Sequence, residues 1–89
     1  MFDKFTSDLY VGDYTDGKRV GHGRMLFADK QEIYDGDWSN DRRQGEGVIL
    51  NSLGEIYSGD YRQDHMEGKQ TYKKTISPQE TASIFQSMK

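Results

Sequence analysis

The segment from Tyr34 to Gly47 carries the pattern that determines the architecture. It opens with Tyr34-Asp35-Gly36-Asp37-Trp38, continues through a polar segment, and closes with Gly45-Glu46-Gly47. Side chains alternate between the two faces of an extended strand, so the two aromatic residues and the glycine between them share one face. The polar segment Ser39-Asn40-Asp41-Arg42 is rich in residues that tolerate left-handed turn conformations. The stretch therefore predicts an antiparallel β-hairpin.

Two further copies of this pattern flank the central one. Each copy has an acidic residue, a branched aliphatic residue, Tyr, any residue, Gly, Asp and an aromatic ring. The leading tyrosines, Tyr10, Tyr34 and Tyr57, are 24 and then 23 residues apart. A fixed period of this length indicates a repeat architecture. We expect an all-β fold, an elongated single-layer solenoid of about three antiparallel β-hairpins, with units at approximately 10–33, 34–56 and 57–76.

Glycines inside these strands need a physical reason, because a mid-strand glycine normally weakens a strand. Close approach of another group is the usual reason, and we expect that group to be an aromatic ring from the adjacent unit. The third copy differs from the others. Gln70 replaces its second return-strand glycine, and His65-Met66-Glu67 replaces a basic stretch. We therefore expect a terminal, distorted or capping unit there.

The tail changes character after residue 76. Ser77-Pro78-Gln79-Glu80 has the composition of a helix N-terminus, with a capping Ser, an initial Pro and a Glu. Thr81, Ile84, Phe85 and Met88 follow the spacing of one helical face. A short C-terminal α-helix over 77–89 is predicted. Its apolar face either covers the last hairpin of the same chain or docks on a partner chain or second copy.

Composition excludes several classes of protein. The chain has 89 residues, enough for one domain, here divided into the array at 1–76 and the helix at 77–89. It has no cysteine, so disulfides and thiolate zinc sites are excluded. The start of the sequence lacks the basic segment followed by an apolar segment that is typical of a signal peptide. The net charge of −3 gives no field that attracts nucleic acid. We expect an intracellular protein with no cofactor and no bound metal.

The residues quoted above resemble the MORN (membrane occupation and recognition nexus) repeat, in which Tyr-x-Gly-Asp-aromatic, a polar turn and Gly-x-Gly follow one another. Tyr34 to Gly47 is the copy most similar to that pattern. The resemblance implies an interaction scaffold, often at membranes, the cortical cytoskeleton or cilia. It leads us to expect a non-enzymatic scaffold or adaptor in a larger eukaryotic assembly, located in the cytoplasm, on the cytoskeleton or cilium, or at the periphery of a membrane.

Two surfaces are candidates for partner binding. The repeat aromatics form either the core or a shallow groove for a helix or peptide, and Ile84, Phe85 and Met88 form the helix face. An uncovered edge strand makes stacking on a second copy a further option. The repeat aromatics are Tyr10, Tyr14, Tyr34, Trp38, Tyr57 and Tyr61.

Charged residues offer an alternative function. Lys18, Arg19, Arg42 and Arg43 occupy equivalent turns and could make weak contact with anionic lipid, which would make the chain a peripheral phosphoinositide-binding module. The repeat carboxylates Asp13, Asp37 and Asp60 indicate a solvated face rather than a metal or acid-pair site. The sequence contains no nucleophile elbow or phosphate loop, so we expect no enzymatic activity.

Overall fold

A computed structural model of the chain describes residues 8–88. Its six strands pair in chain order as one antiparallel sheet, and a helix follows the last strand, as the sequence predicts. No helix in this range is long and apolar enough to cross a membrane. The elements are β1 (Leu9–Thr15), β2 (Lys18–Phe27), β3 (Glu32–Ser39), β4 (Arg42–Asn51), β5 (Glu55–Arg62), β6 (His65–Thr75) and α1 (Pro78–Ser87).

Each hairpin turns through two residues in the left-handed conformation. In the central hairpin these are Asn40, with φ of 53°, and Asp41, with φ of 73°. Two consecutive left-handed residues give the turn a twist that matches the right-handed twist of the flanking strands. The predicted hairpin tips are therefore confirmed. The same two positions hold Asp16 and Gly17 in the first hairpin, and Gln63 and Asp64 in the third.

A β-bulge interrupts every hairpin at the same place in the repeat. In the central hairpin the register shifts between Gly36 and Trp38, and Gly45 on the opposite strand has a φ of 82°. Glycine adopts this left-handed conformation at little cost. The first glycine of each Gly-x-Gly pair thus provides a backbone conformation, and the equivalents of Gly45 are Gly21 and Gly68.

The leading tyrosine lies on a pair of glycines from its own hairpin. Gly36 and Gly47 are cross-strand partners beneath the ring of Tyr34. A Cβ atom added to Gly47 would lie 2.6 Å from both Cζ and Oη of that ring. The hydroxyl donates a hydrogen bond to the Asp37 carbonyl at 2.9 Å. The expectation that the ring comes from the adjacent unit is therefore wrong. Tyr10 has the same arrangement over Gly12 and Gly23.

The third hairpin lacks this packing. Gln70 replaces the second glycine, and a side chain there removes the space that the ring would fill. The ring of Tyr57 instead packs edge-to-face against Tyr72, with centroids 5.6 Å apart, and Met66 lies next to Gly59. An additional register shift follows Ile56 in this hairpin alone. The expected distortion of the third unit is confirmed.

The two faces of the sheet bury different residue types. The aromatic face holds the cluster Tyr10, Met25, Tyr34, Trp38, Ile49 and Tyr61. The opposite, aliphatic face holds Leu26, Ile33 and Leu50 with two helix residues, Phe85 and Met88. A single sheet cannot bury both of its faces unaided, so α1 acts as a partial second layer.

Helix α1 begins as the sequence predicts. The Ser77 hydroxyl accepts a hydrogen bond from the Glu80 amide at 3.1 Å, and Pro78 takes the first helical position. Phe85 and Met88 pack against the sheet of their own chain. The helix lies across the aliphatic face and reaches β2, so it covers more than the last hairpin.

Substitution by alanine should distinguish a repeat glycine that lies beneath a tyrosine ring from one that does not. We expect Gly47→Ala to lower the free energy of unfolding by about 3 kcal/mol, because its Cβ would overlap the Tyr34 ring. Gly59→Ala is the matched control, since its nearest neighbour is the flexible end of Met66 at 3.2 Å, and it should cost less than about 1 kcal/mol. Urea denaturation of both variants measures the difference, and equal losses would contradict the assigned packing.

Candidate functional site

Five of the six repeat aromatics form one continuous row across the sheet, while Tyr57 packs against Tyr72. Their rings contact edge-to-face, the geometry that aromatic quadrupoles favour. Trp38 also donates its Nε1 hydrogen to the Gly23 carbonyl at 3.1 Å. The centroid distances along the row are 5.0 Å for Tyr14–Tyr10, 5.5 Å for Tyr10–Trp38, 5.3 Å for Trp38–Tyr34 and 5.2 Å for Tyr34–Tyr61.

Burial distinguishes core from surface within this row. Trp38 and Tyr61 are each 5% exposed, and Tyr10 and Tyr34 are more deeply buried. These four side chains are core, one of the two alternatives that the sequence leaves open, and partner binding by them stays a prediction. Burial also raises the pKa of Tyr34 far above its usual value, which keeps its hydroxyl neutral. Partner binding by Tyr14, which is 38% exposed, and by the half-buried Tyr57 stays a prediction.

An arginine links the first unit to the second. Nε of Arg19 lies 2.5 Å from Oδ1 of Asp41, and Nη2 donates to the Asp41 carbonyl at 3.0 Å. The Asp41 amide donates back to the Arg19 carbonyl at 3.0 Å. The guanidinium also lies 4.6 Å from the ring centroid of Trp38. We call this combination of an ion pair, backbone hydrogen bonds and ring stacking the arginine clamp.

The same clamp links the second unit to the third. Arg43 contacts Oδ1 of Asp64 at 2.7 Å and the Asp64 carbonyl at 3.1 Å, and it lies 4.9 Å from the ring centroid of Tyr61. The side chains of Arg19 and Arg43 are 22% and 19% exposed. Such half-buried, stacked guanidinium groups are held by several contacts at once.

The clamps change the interpretation of the predicted lipid site. Two of its four residues, Arg19 and Arg43, form ion pairs with aspartates of the next unit. Lys18 and Arg42 are exposed. The four cations therefore do not form one free basic ridge, because each clamp residue is neutralised by its partner.

Electrostatics at the clamps favour the ionised carboxylates. The hydrogen bond from Arg19 holds the pKa of Asp41 below its usual value. Burial acts to raise the pKa of Asp64, but the hydrogen bonds and charge of Arg43 outweigh it and leave that pKa lowered.

Two recesses flank α1 on the aliphatic face, and we call them the helix clefts. One has a volume of about 310 Å³ and the other about 140 Å³. Arg24 and Asp35 line both clefts. The larger is completed by Val11, His22, Gly23, Ser87 and Met88, and the smaller by Ile33, Val48, Leu50, Ile56 and Ile84.

A cluster of charged and polar side chains lies between exposed valine side chains at the helix clefts. The Asp35 carboxylate accepts a hydrogen bond from Nη2 of Arg24 at 2.9 Å and lies 2.5 Å from Nε2 of His22. Val11 is 60% exposed and Val48 is 36% exposed. Apolar surface beside charges of both signs suits a polypeptide segment, which offers the same mixture.

Sequence reasoning missed these cleft residues. It followed the face of Tyr and Gly and considered only the repeat carboxylates among the alternate positions, although Arg24 and Asp35 are cross-strand partners of opposite charge. Of the predicted helix-face residues, Ile84 and Met88 line the clefts, while Phe85 is buried between α1 and the sheet.

The predicted carboxylate row stays solvated. Asp13, Asp37 and Asp60 are exposed, and residues 8–88 contain no group of His, Cys, Asp and Glu side chains that could hold a metal ion.

Stacked hairpins joined by one repeated contact define a β-repeat protein of the open-sheet type. The family profile described as MORN repeat matches residues 10–32, 34–50 and 57–73, and the chain belongs to the MORN repeat family. The resemblance noted from sequence is confirmed. Comparison with curated proteins gives no match. MORN repeats are a non-catalytic repeat type and are generally linked to protein or membrane interactions.

Removing the central ring should destabilise the protein. Trp38→Ala is expected to cost about 4 kcal/mol, because a large buried side chain leaves a cavity. Trp38→Phe keeps a ring but loses the hydrogen bond to Gly23 and should cost less than half as much. Thermal and urea unfolding measure both variants, and an unchanged melting temperature for Trp38→Ala would contradict a core role.

The clamp should make stability depend on pH. Because the pKa of Asp64 is lowered by folding, its stabilising contribution is complete above the unfolded value of about 4 and is lost as the pH falls through the folded pKa. The difference in unfolding free energy between wild type and Asp64→Asn should therefore shrink upon acidification below about pH 4.

Asp60→Asn is the matched control for this experiment, since Asp60 makes no ion pair within residues 8–88. Urea denaturation between pH 7 and pH 3 provides the measurement. A difference for Asp64→Asn that does not change with pH would disprove the stabilising role of the clamp.

Proposed function

We propose that this chain is a non-enzymatic scaffold or adaptor that holds a protein partner within a larger eukaryotic assembly. The observation that carries the proposal is the pair of helix clefts, where apolar and charged side chains are accessible beside α1. Membership of the MORN repeat family supports an interaction role.

The clefts favour a particular kind of partner segment. Val11 and Val48 offer exposed apolar contacts on the two sides of α1. Arg24 and Asp35 lie between them and can exchange hydrogen bonds with the backbone or with charged side chains of a partner. A short segment with one or two apolar anchors and nearby charges matches this surface.

A cytoplasmic location on the cytoskeleton, on a cilium or at the periphery of a membrane belongs to the same proposal. Support for it comes from the general link of MORN repeats to protein or membrane interactions. Lipid contact through the exposed residues Lys18 and Arg42 would be a secondary contribution, because two cations bind an anionic surface only weakly.

Affinity capture from source cells, quantified by mass spectrometry, tests the proposal. Val48→Asp places a carboxylate in the smaller cleft, and we expect it to lower recovery of a defined protein partner at least tenfold. Leu53→Asp is the matched control, since Leu53 is 75% exposed and lies outside the cleft lining, and it should leave recovery unchanged.

Circular dichroism must show that both variants remain folded. Equal loss of the partner with both variants, or capture of no partner by wild type, would contradict the proposal. Binding of the wild type to phosphoinositide vesicles alone, lost with a Lys18→Ala and Arg42→Ala double variant, would replace it with the lipid-binding function.

A further inference from the structure

The internal junctions of the sheet show what covers the outer edge of a unit. Strand β2 pairs with β3 so that Gly21 faces Trp38 and Gly23 faces Gly36. Strand β4 pairs with β5 in the same register, with Gly45 facing Tyr61 and Gly47 facing Gly59. Each covering strand thus places two glycines opposite the aromatic end of the strand that it covers.

The sequence of the covering strands follows one pattern. Arg19 and Arg43 each stand two residues before the first glycine, and two apolar residues follow the second glycine after a spacer. The arginine reaches the aromatic ring of the next unit, and at the first junction that ring, Trp38, also donates a hydrogen bond to the Gly23 carbonyl. The pattern is Arg-x-Gly-x-Gly-x-apolar-apolar.

The outer edge of β1 presents the same features without a covering strand. Within residues 8–88, β1 pairs with β2 alone. Tyr14 occupies the position of Trp38 and Tyr61, yet it is 38% exposed where they are 5% exposed. No cation lies over the Tyr14 ring within the described residues. Val11, on the same strand, is 60% exposed.

We propose that the outer edge of β1 binds an extended segment of a partner protein that has the pattern Arg-x-Gly-x-Gly-x-apolar-apolar. The segment pairs antiparallel with β1, places its arginine over Tyr14, and sets its glycines opposite Tyr14 and Gly12. The residue between the two glycines faces Asp13, as His22 faces Asp37 and Glu46 faces Asp60 at the internal junctions. This inference rests on the proposed protein-binding function and specifies one partner chemistry.

A second copy of the chain is a poor match for this edge. The strand at the opposite edge, β6, has Met66 at the position of the clamp arginine and Gln70 at the position of the second glycine. The turn of the first unit has Gly17 where the later units have Asp41 and Asp64. Head-to-tail stacking of two copies would therefore lack both charged members of the clamp. The partner is a different chain.

Gly17 still supports an incoming arginine through its backbone. In the internal clamps the turn residue donates its amide to the arginine carbonyl and accepts from Nη2 with its own carbonyl. Gly17 has a φ of 78°, close to the 73° of Asp41, so an aspartate fits that conformation. Gly17→Asp would restore the missing carboxylate and should strengthen binding.

The test uses the full chain labelled with ¹⁵N and a nine-residue peptide with the sequence of residues 43–51. We expect the peptide to shift the amide resonances of β1, and Tyr14→Ala to weaken binding at least fivefold. Tyr72→Ala is the matched control, because Tyr72 is an exposed ring at the opposite edge, and it should bind as wild type does.

The Gly17→Asp variant should bind the peptide at least threefold more tightly than wild type does. A peptide with alanine in place of its arginine should bind at least fivefold more weakly than the original.

Several results would overturn the proposal. These are the absence of shifts at millimolar peptide, shifts centred on β6 or on the helix clefts, equal binding of the alanine peptide, and sedimentation as a dimer that Tyr14→Ala dissociates. A partner captured from cells that depends on Val48 but tolerates Tyr14→Ala, together with failure of the peptide, would remove this inference and leave the scaffold function intact.

Discussion

A tyrosine ring lying on two facing glycines is the contact on which this structure depends. Tyr34 rests on Gly36 and Gly47, and Tyr10 rests on Gly12 and Gly23. Because the ring uses bare backbone as its packing surface, the sheet buries one face without a second layer. The positions of the glycines, the β-bulge beside them and the order of the two strands in the hairpin all allow this contact. Where Gln70 interrupts it, the strand pairing shifts and the tyrosine finds a different partner.

The arginine clamp adds a connection that rings alone do not supply. Arg19 and Arg43 each combine a carboxylate, two backbone groups and an aromatic face of the following unit. An isolated surface ion pair contributes little, but these groups are half-buried and held in a fixed geometry. The clamp therefore fixes the distance between neighbouring units and also stabilises the contact between them. It also removes two cations from the surface that a membrane would meet.

Much of the fold is predictable from local signals. Turn residues locate the hairpin tips, alternation assigns each strand residue to a face, and Ser77-Pro78 marks the start of α1. Alternation does not specify which aromatic ring lies on a given glycine. The prediction that this ring comes from the adjacent unit is therefore wrong, since Tyr34 lies on glycines of its own hairpin. The clamp partners Arg19 and Asp41 are 22 residues apart, close to one repeat period, and a search for opposite charges at that spacing would have found them. The clefts depend on the path of α1 across the sheet, which no local pattern specifies.

The path of α1 also changes how the array comes apart. In a linear array each unit contacts only its neighbours, so the ends can open independently of the middle. Here the helix that follows β6 packs Phe85 and Met88 with Leu26 of β2, and Leu9 of β1 joins the same cluster. The first unit and the helix that follows the last unit thus pack in one cluster, which also includes Ile33 of β3 and Leu50 of β4. The helix therefore links the first and last hairpins of an open sheet, and we expect the ladder amides of the inner strands β2 and β5 to exchange with similar protection.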